Sequence, residues 1–256
     1  MKNLMTSFIA LAILILVGLG CSGSADKSAN TATNTTTNSS SNDSKSNSNT
    51  ATSSTPKESN DVAGSYSITG KNPAGQAYQG DLTIKKQEEV FQFTWSVAGS
   101  AYDGVGVRDG NLIAVGYGGG DNGKGCGAAI YRIGDKMLEG KLGGWGFNQT
   151  GKQTAILLKE GKEGDVYTVT GVDTDGSDYK GELFTTISKT AVYHFAFSGG
   201  KIKYVGTGIK VDNYFGAGIG MKQCGYAVYE VKDGKLEAAW GVIGNDKLGT
   251  EIATRK

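Results

Sequence analysis

Val90-Phe-Gln-Phe-Thr-Trp95 and Val192-Tyr-His-Phe-Ala-Phe197 are the stretches whose reading decides the fold. In the first, Phe91, Phe93 and Trp95 alternate with Gln92 and Thr94. In the second, Tyr193, Phe195 and Phe197 alternate with His194 and Ala196. A period of two is the signature of a β-strand with one buried face. Outward from them, the two stretches prove to be the same element of an internal repeat. Tyr66-Ser-Ile-Thr-Gly70 matches Tyr167-Thr-Val-Thr-Gly171, and Gly75, Tyr78, Gly80 and Leu82 match Gly176, Tyr179, Gly181 and Leu183, all at an offset of 101. The aromatic runs stand at 102, as do Tyr102, Gly104, Gly106, Asn111, Gly116 and Gly118 with Tyr204, Gly206, Gly208, Asn213, Gly218 and Gly220. After a four-residue deletion in the second copy, Cys126-Gly127 matches Cys224-Gly225 at 98. Tyr131, Leu138 and Glu139 follow at that offset onto Tyr229, Leu236 and Glu237.

Turn signals separate the alternating runs, among them Asn72-Pro-Ala-Gly75, Asp109-Gly-Asn111, Asp173-Thr-Asp-Gly176 and Asp233-Gly234. No amphipathic helical stretch of useful length follows Asp61. The expected fold class is all-β: two tandem antiparallel β-meander repeats of seven or eight strands, 62–160 and 161–256. Each would form a small barrel or sandwich, with the two related by a pseudo-twofold axis. One merged barrel or sheet is the alternative. Same-face pairs such as Gly104/Gly106 and Gly116/Gly118 mark sharp bends or close backbone approaches, which favours closure.

The chain before the repeats has a different character. Met1-Lys2-Asn3 is followed by the apolar run Phe8–Val17 and by Gly18-Leu-Gly-Cys21, the layout of a secretory signal. The Cys at the cut site makes residues 1–20 resemble a bacterial lipoprotein signal, although Gly18 stands where Leu is usual. That resemblance implies lipidation of Cys21 and a membrane partner through the attached acyl chains, which together anchor stably. A transmembrane anchor is the competing reading, but the apolar stretch is short for a span. Ser22, where Asp would signal inner-membrane retention, leans the expected location toward the outer membrane, with its periplasmic or surface face open. Ser22 to Asn60 is mostly Ser, Thr, Asn and Ala, with no aromatic or large aliphatic residue. Residues 21–61 are therefore expected to form a disordered tether, with a reach of roughly 35 Å.

Composition excludes some functions. Beyond Lys2 the chain carries 25 basic and 25 acidic residues, so it lacks the basic balance of a nucleic-acid binder. Gly is 41 of 256 residues with only 2 Pro, which points to glycine-rich strands and turns rather than Pro-rich disorder. One His and three Cys offer no metal centre, and no cofactor motif is present. Cys126 and Cys224, equivalent by repeat, are a candidate disulfide if both lie near the pseudo-dyad; two buried thiols are the alternative. His194 aligns with Gln92 and reads as outer-face surface. Gly118, Gly123 and Lys124 have Walker-like spacing, but Gly125 replaces the Ser/Thr and no helix follows, so Gly116–Gly125 is read as a flexible hairpin tip. Asp173, Asp175 and Asp178 have the oxygen density of a Ca²⁺ loop without its later Glu, and read as a hairpin. Trp145, Trp240 and Tyr117 are candidate ligand contacts at a barrel mouth or contact loop, against a default of core packing for the tryptophans. No Gly-x-Ser-x-Gly elbow or Cys–His pairing supports catalysis, and the chain is read as a non-enzyme.

The string Tyr-x-Ile/Val-Thr-Gly…Gly-x-x-Tyr-x-Gly-Asp/Glu-Leu, followed by Phe-x-Trp/Phe, Gly-x-Gly and a late Cys-Gly…Tyr…Leu-Glu, resembles a family of bacterial exported lipoproteins sometimes labelled fibronectin-binding proteins. The resemblance spans nearly all of 62–256. It implies the tandem β fold and, through the label, an adhesin that binds extracellular-matrix or cell-envelope macromolecules; no residue carries that label. The first functional expectation is thus a lipid-anchored, non-catalytic binding module for a macromolecule. The alternatives are a calycin-like carrier of a small ligand, which requires an apolar cavity above roughly 300 Å³, and an inhibitor of an envelope enzyme.

Overall fold

The computed structural model of the chain describes residues 61–256 apart from 120, 189, 201 and 221–223. The signal segment, Cys21 and all of the tether but its last residue lie outside the described residues. Copy one supplies β1 (Gly64–Lys71), β2 (Ala77–Gln87), β3 (Val90–Val97), β4 (Ser100–Asp109), β5 (Leu112–Gly119), β6 (Cys126–Ile133), β7 (Met137–Gly144) and β8 (Gly151–Lys159). Copy two supplies β9 (Asp165–Val172), β10 (Asp178–Ile187), β11 (Val192–Gly199), β12 (Ile202–Val211), β13 (Tyr214–Gly220), β14 (Gly225–Lys232), β15 (Lys235–Gly241) and β16 (Gly249–Arg255). Among the described residues the one helical element is a 3₁₀ turn, Asp121–Gly125.

The protein is all-β and its strands close into two antiparallel eight-stranded barrels. Barrel 1 runs β1-β2-β3-β4-β5-β14-β15-β16 and back to β1; barrel 2 runs β9-β10-β11-β12-β13-β6-β7-β8 and back to β9. Each barrel therefore takes five strands from one copy and three from the other. The expected boundary between the copies, 160/161, lies in the loop between β8 and β9, and neither copy closes on itself. Instead β5 pairs with β14, setting Ala114 opposite Val228, and β13 pairs with β6, setting Ala217 opposite Ala129. Gly116–Gly125 is consequently no hairpin tip: it includes the crossover that carries the chain from barrel 1 to barrel 2. The reciprocal crossover follows Gly220, and the four-residue deletion between the copies falls at this link.

Three apolar clusters follow from this topology. Phe91, Phe93, Trp95, Ile113 and Tyr229 belong to the core of barrel 1. Tyr131, Phe195, Phe197 and Phe215 belong to that of barrel 2. A third cluster (Val105, Val107, Ala114, Ile130, Ile209 and Val228 among others) is the layer where the barrels meet. Strands at that layer are covered on both faces, so Leu112-Ile-Ala-Val115 is buried without interruption, whereas β1 alternates.

Glycine permits the close approach. A methyl group on Gly116 would fall on the carbonyl oxygen of Gly127 and lie 3.1 Å from Cα of Gly218. A methyl on Gly218 would fall on the carbonyl oxygen of Gly225 and lie 3.2 Å from Cα of Gly116. Gly116 and Gly218 are repeat equivalents, as are Gly127 and Gly225, so these contacts are mirrored about a pseudo-twofold. On the same axis Cys126 and Cys224 form a disulfide, Cα to Cα 5.8 Å, joining the ends of the two crossovers.

A candidate ligand site in the mouth of barrel 1

Inward-facing positions on seven strands converge near one end of barrel 1. Trp95 and Val97 come from β3, Tyr78 from β2, Tyr102 from β4 and Tyr117 from β5. Ala227 and Tyr229 come from β14, Trp240 from β15 and Glu251 from β16; Asn72 and Val242 stand at the rim. They enclose a cavity of about 370 Å³ that opens between the β1–β2, β3–β4 and β15–β16 turns. Its aromatic walls are linked. Trp95 and Tyr117 lie 5.7 Å apart between centroids, Tyr117 meets Trp240 edge-on at 6.4 Å, and Trp240 meets Tyr78 edge-on at 6.1 Å. Gly104 and Gly249 make room for this wall, because a methyl there would press on Trp95 and Trp240 respectively. The chain enters barrel 1 at the far end, where Tyr66 donates to the carbonyl of Val62 and the Arg255 guanidinium stacks 5.2 Å from the Tyr66 ring.

Glu251 is the one acid among the residues lining this cavity and is only 5% exposed. Three donors converge on it. The Tyr229 hydroxyl and Trp95 Nε1 (3.3 Å) give to Oε1, and the Tyr78 hydroxyl gives to Oε2 at 2.9 Å. Trp95 Nε1 also lies 3.3 Å from the Tyr229 oxygen. Burial raises the Glu251 pKa above its ordinary value, and the three hydrogen bonds oppose that rise. Burial and then the neighbouring carboxylate hold Tyr78, Tyr117 and Tyr229 far above the usual phenol range, so all three remain protonated donors. No ion pair to Glu251 is found among the described residues.

The equivalent end of barrel 2 is built differently. Gln153 stands at the position of Glu251, and its Oε1 accepts from Tyr131 and, at 3.1 Å, from Tyr204. Tyr131 is the equivalent of Tyr229 and Tyr204 of Tyr102. Tyr204 stacks on Phe197 at 4.9 Å, and burial pushes its hydroxyl up to about 12. Phe197 replaces Trp95, Leu142 replaces Trp240 and Ile219 replaces Tyr117. The tyrosine that closes over the polar residue in barrel 2 thus has a counterpart, Tyr102, that leaves Glu251 to the cavity.

The sequence candidates divide accordingly. Tyr117 and Trp240 are brought together in the cavity wall. Trp145 is elsewhere, just beyond β7, with Lys124 Nζ 6.0 Å from its ring centre. Cys126 and Cys224 are bonded rather than free thiols. His194 is half-buried with Nδ1 3.2 Å from the Thr207 hydroxyl. The Asp173–Asp178 turn is a hairpin that uses its own carboxylates: Asp175 accepts from Ser177 N at 2.9 Å and Asp173 from Thr174 N at 2.7 Å. Among the described residues no three His, Cys, Asp or Glu side chains gather as metal ligands. Cys21 lies outside the described residues. The sequence alone does not single out Glu251, Tyr78, Tyr102 or Tyr229, and it reads Trp95, the match of Phe197, as core packing. The available signal was the exchange of Gln153 for Glu251 at an inward position of a strand that otherwise matches in phase.

Comparison with protein-family models, with curated proteins and with solved structures finds no match in any of the three.

Proposed function

We propose that the protein is an exported, non-catalytic lipoprotein, anchored to the outer membrane through Cys21, whose barrel 1 binds a small organic ligand. One observation carries this reading: a cavity of about 370 Å³, walled by two tryptophans and four tyrosines and holding a single buried carboxylate. Binding sites for small molecules are concave, mainly apolar, about 300–1,000 Å³ in volume, and fixed by a few convergent polar groups. Barrel 1 meets each of those criteria. Its mouth lies at the end of the barrel opposite Val62.

The test is direct, because Trp95 and Trp240 report from inside the cavity. Titrating the full chain with benzyl alcohol or indole should quench tryptophan fluorescence saturably. Ala227→Leu, which fills the cavity from a buried wall position, should remove that response while leaving the strand signature in circular dichroism. Equal quenching of the filled variant would mean that the ligand sits elsewhere. Labelling with a fatty-acid probe tests the anchor, and a Cys21→Ser chain that still took up label would refute it.

The macromolecular reading has one observation in its favour. Ile156 and Leu158 on β8 and Phe184 on β10 are exposed on the outside of barrel 2, and exposed apolar side chains on one face mark contact surfaces. Ile156→Lys with Phe184→Lys should then abolish retention of the protein on immobilised matrix or envelope material without altering the fluorescence titration.

A further inference from the structure

The two barrels hold the same polar position in two chemical states, and that difference identifies the ligand class. At Gln153, a neutral amide oxygen already serves as the shared acceptor for two buried tyrosines. A carboxylate at Glu251 is therefore not needed to hold Tyr229, the equivalent of Tyr131, in place. What it adds over glutamine is a second acceptor oxygen, taken by Tyr78, and formal charge, buried and facing a cavity. A buried charge is ordinarily paired, yet among the described residues no Lys, Arg or His pairs with Glu251. The groups facing it are all neutral: Tyr78 from β2, Trp95 from β3, Tyr117 from β5 and Tyr229 from β14, while β1 and β15 set Gly70 and Ala238 beside it in register. The donors from tryptophan and tyrosine all point at the carboxylate oxygens, and such bonds favour its ionised form. Around it stand the faces and edges of Trp95, Trp240 and Tyr117, and aromatic faces attract cations electrostatically.

We infer that barrel 1 is selective for a small organic cation, an alkylated ammonium carried on an apolar body, whose charge is neutralised by Glu251 and whose alkyl groups pack on Trp95, Tyr117 and Trp240. This rests on the ligand-binding reading above and narrows it. Barrel 2, with Gln153, Phe197, Leu142 and Ile219 at the equivalent positions, has neither the charge nor the indole walls and does not share the selectivity.

The experiment titrates the full chain with three probes of one shape but different charge: benzyltrimethylammonium, benzyl alcohol and benzoate. Both tryptophan fluorescence and calorimetry are read. The cation should bind at least tenfold more tightly than benzyl alcohol, and benzoate least. Glu251→Gln, a side chain the fold already accepts at the equivalent position, should lower cation affinity at least tenfold and so collapse the preference for the cation over benzyl alcohol. In the wild type, cation affinity should rise with pH as Glu251 ionises and then level off, and the variant should lack that rise. Equal affinity for cation and alcohol, or an unchanged cation affinity in Glu251→Gln, would overturn the cation assignment while the binding site stood. Tightest binding of benzoate would overturn it too, by requiring a protonated Glu251. Absence of saturable binding by all three would overturn the ligand-binding reading with it.

Discussion

Barrel 1 and barrel 2 come from one repeated sequence and differ most at one end. Barrel 2 fills that end: Tyr204 stacks on Phe197 and reaches Gln153. Barrel 1 leaves it open, with larger rings on its walls and an acid at its base. At the opposite extreme, the contacts where the barrels meet are nearly interchangeable, since Gly116 and Gly218 approach each other under the same constraint. Duplication has therefore kept the docking surface symmetric while letting the interiors diverge. That is the expected outcome if the paired architecture supplies stability and one barrel supplies recognition. The exchange of three strands makes the pairing covalent as well as topological, because neither copy can complete a barrel alone.

The largest expected effect breaks the symmetric part. Gly116→Ala and Gly218→Ala each force a methyl into a facing backbone carbonyl, so one barrel must shift against the other. Each should cost about 4 kcal/mol or more, measured as urea unfolding or as failure to accumulate folded protein. Similar losses for both are expected from the pseudo-twofold; a large loss for one alone would show that the dyad is only approximate. Next comes the disulfide. It closes a separation of 98 residues, for which the chain-entropy estimate approaches about 4.7 kcal/mol. Double replacement of Cys126 and Cys224 by Ser should lower stability by about 2–4 kcal/mol and leave the strand content intact. A variant as stable as the parent would mean that the barrel layer alone holds the crossovers.

How far these features were legible depends on what alternation encodes. The aromatic spacing in Phe91–Trp95 and Phe195–Phe197 shows which face of a strand is buried, and with the turn signals between runs it gives the all-β class and seven or eight strands per copy. It says nothing of which strand lies alongside. Pairing β5 with β6 within one copy, or β5 with β14 across copies, satisfies the same pattern. The exchange was therefore invisible, although the jump in offset between Gly118 and Cys126 marked where it happens. The uninterrupted apolar run Leu112–Val115 was a second trace, since only a strand covered on both faces can carry it. In the site, Tyr117 and Trp240 were legible as large rings on inward phases. Trp145 was misleading, because it follows Gly144 at the end of β7 and leaves the barrel wall. Glu251 escaped notice because an acid in a strand is read as outward by default, and only its burial among tyrosines reverses that.

A third prediction sharpens the contrast between the interiors. Tyr229→Phe removes a hydrogen bond to a carboxylate, whereas Tyr131→Phe removes one to an amide. Hydrogen bonds to charged groups contribute about 1.5–3 kcal/mol and neutral ones about 0.5–1.5 kcal/mol. At neutral pH the first variant should therefore lose about 1 kcal/mol more than the second in denaturant unfolding. Equal losses would indicate that Glu251 is protonated in the free protein.

The smallest effect expected is a gain. Burial lifts the Glu251 pKa above 4.5 in the folded chain, so between the unfolded and folded values the native state binds the proton more tightly than the unfolded state. Stability of the ligand-free protein then falls as pH rises through that window, by about 1.4 kcal/mol for each unit of the rise. Above the folded value the deficit is complete and constant. Glu251→Gln removes the titrating group and retains one oxygen for Tyr229 and Trp95, while the amide NH₂ takes the place of Oε2 and donates to the Tyr78 hydroxyl. Its unfolding free energy should therefore exceed that of the parent at pH 7 and converge with it below the ordinary carboxyl pKa. Gln153→Glu should do the reverse in barrel 2, and more strongly, because Tyr204 closes that site. A Glu251→Gln chain less stable than the parent at pH 7 would mean that the three hydrogen bonds outweigh the burial of the charge. The free cavity would then be comfortable with its carboxylate, and the pull on a cation would be correspondingly weaker.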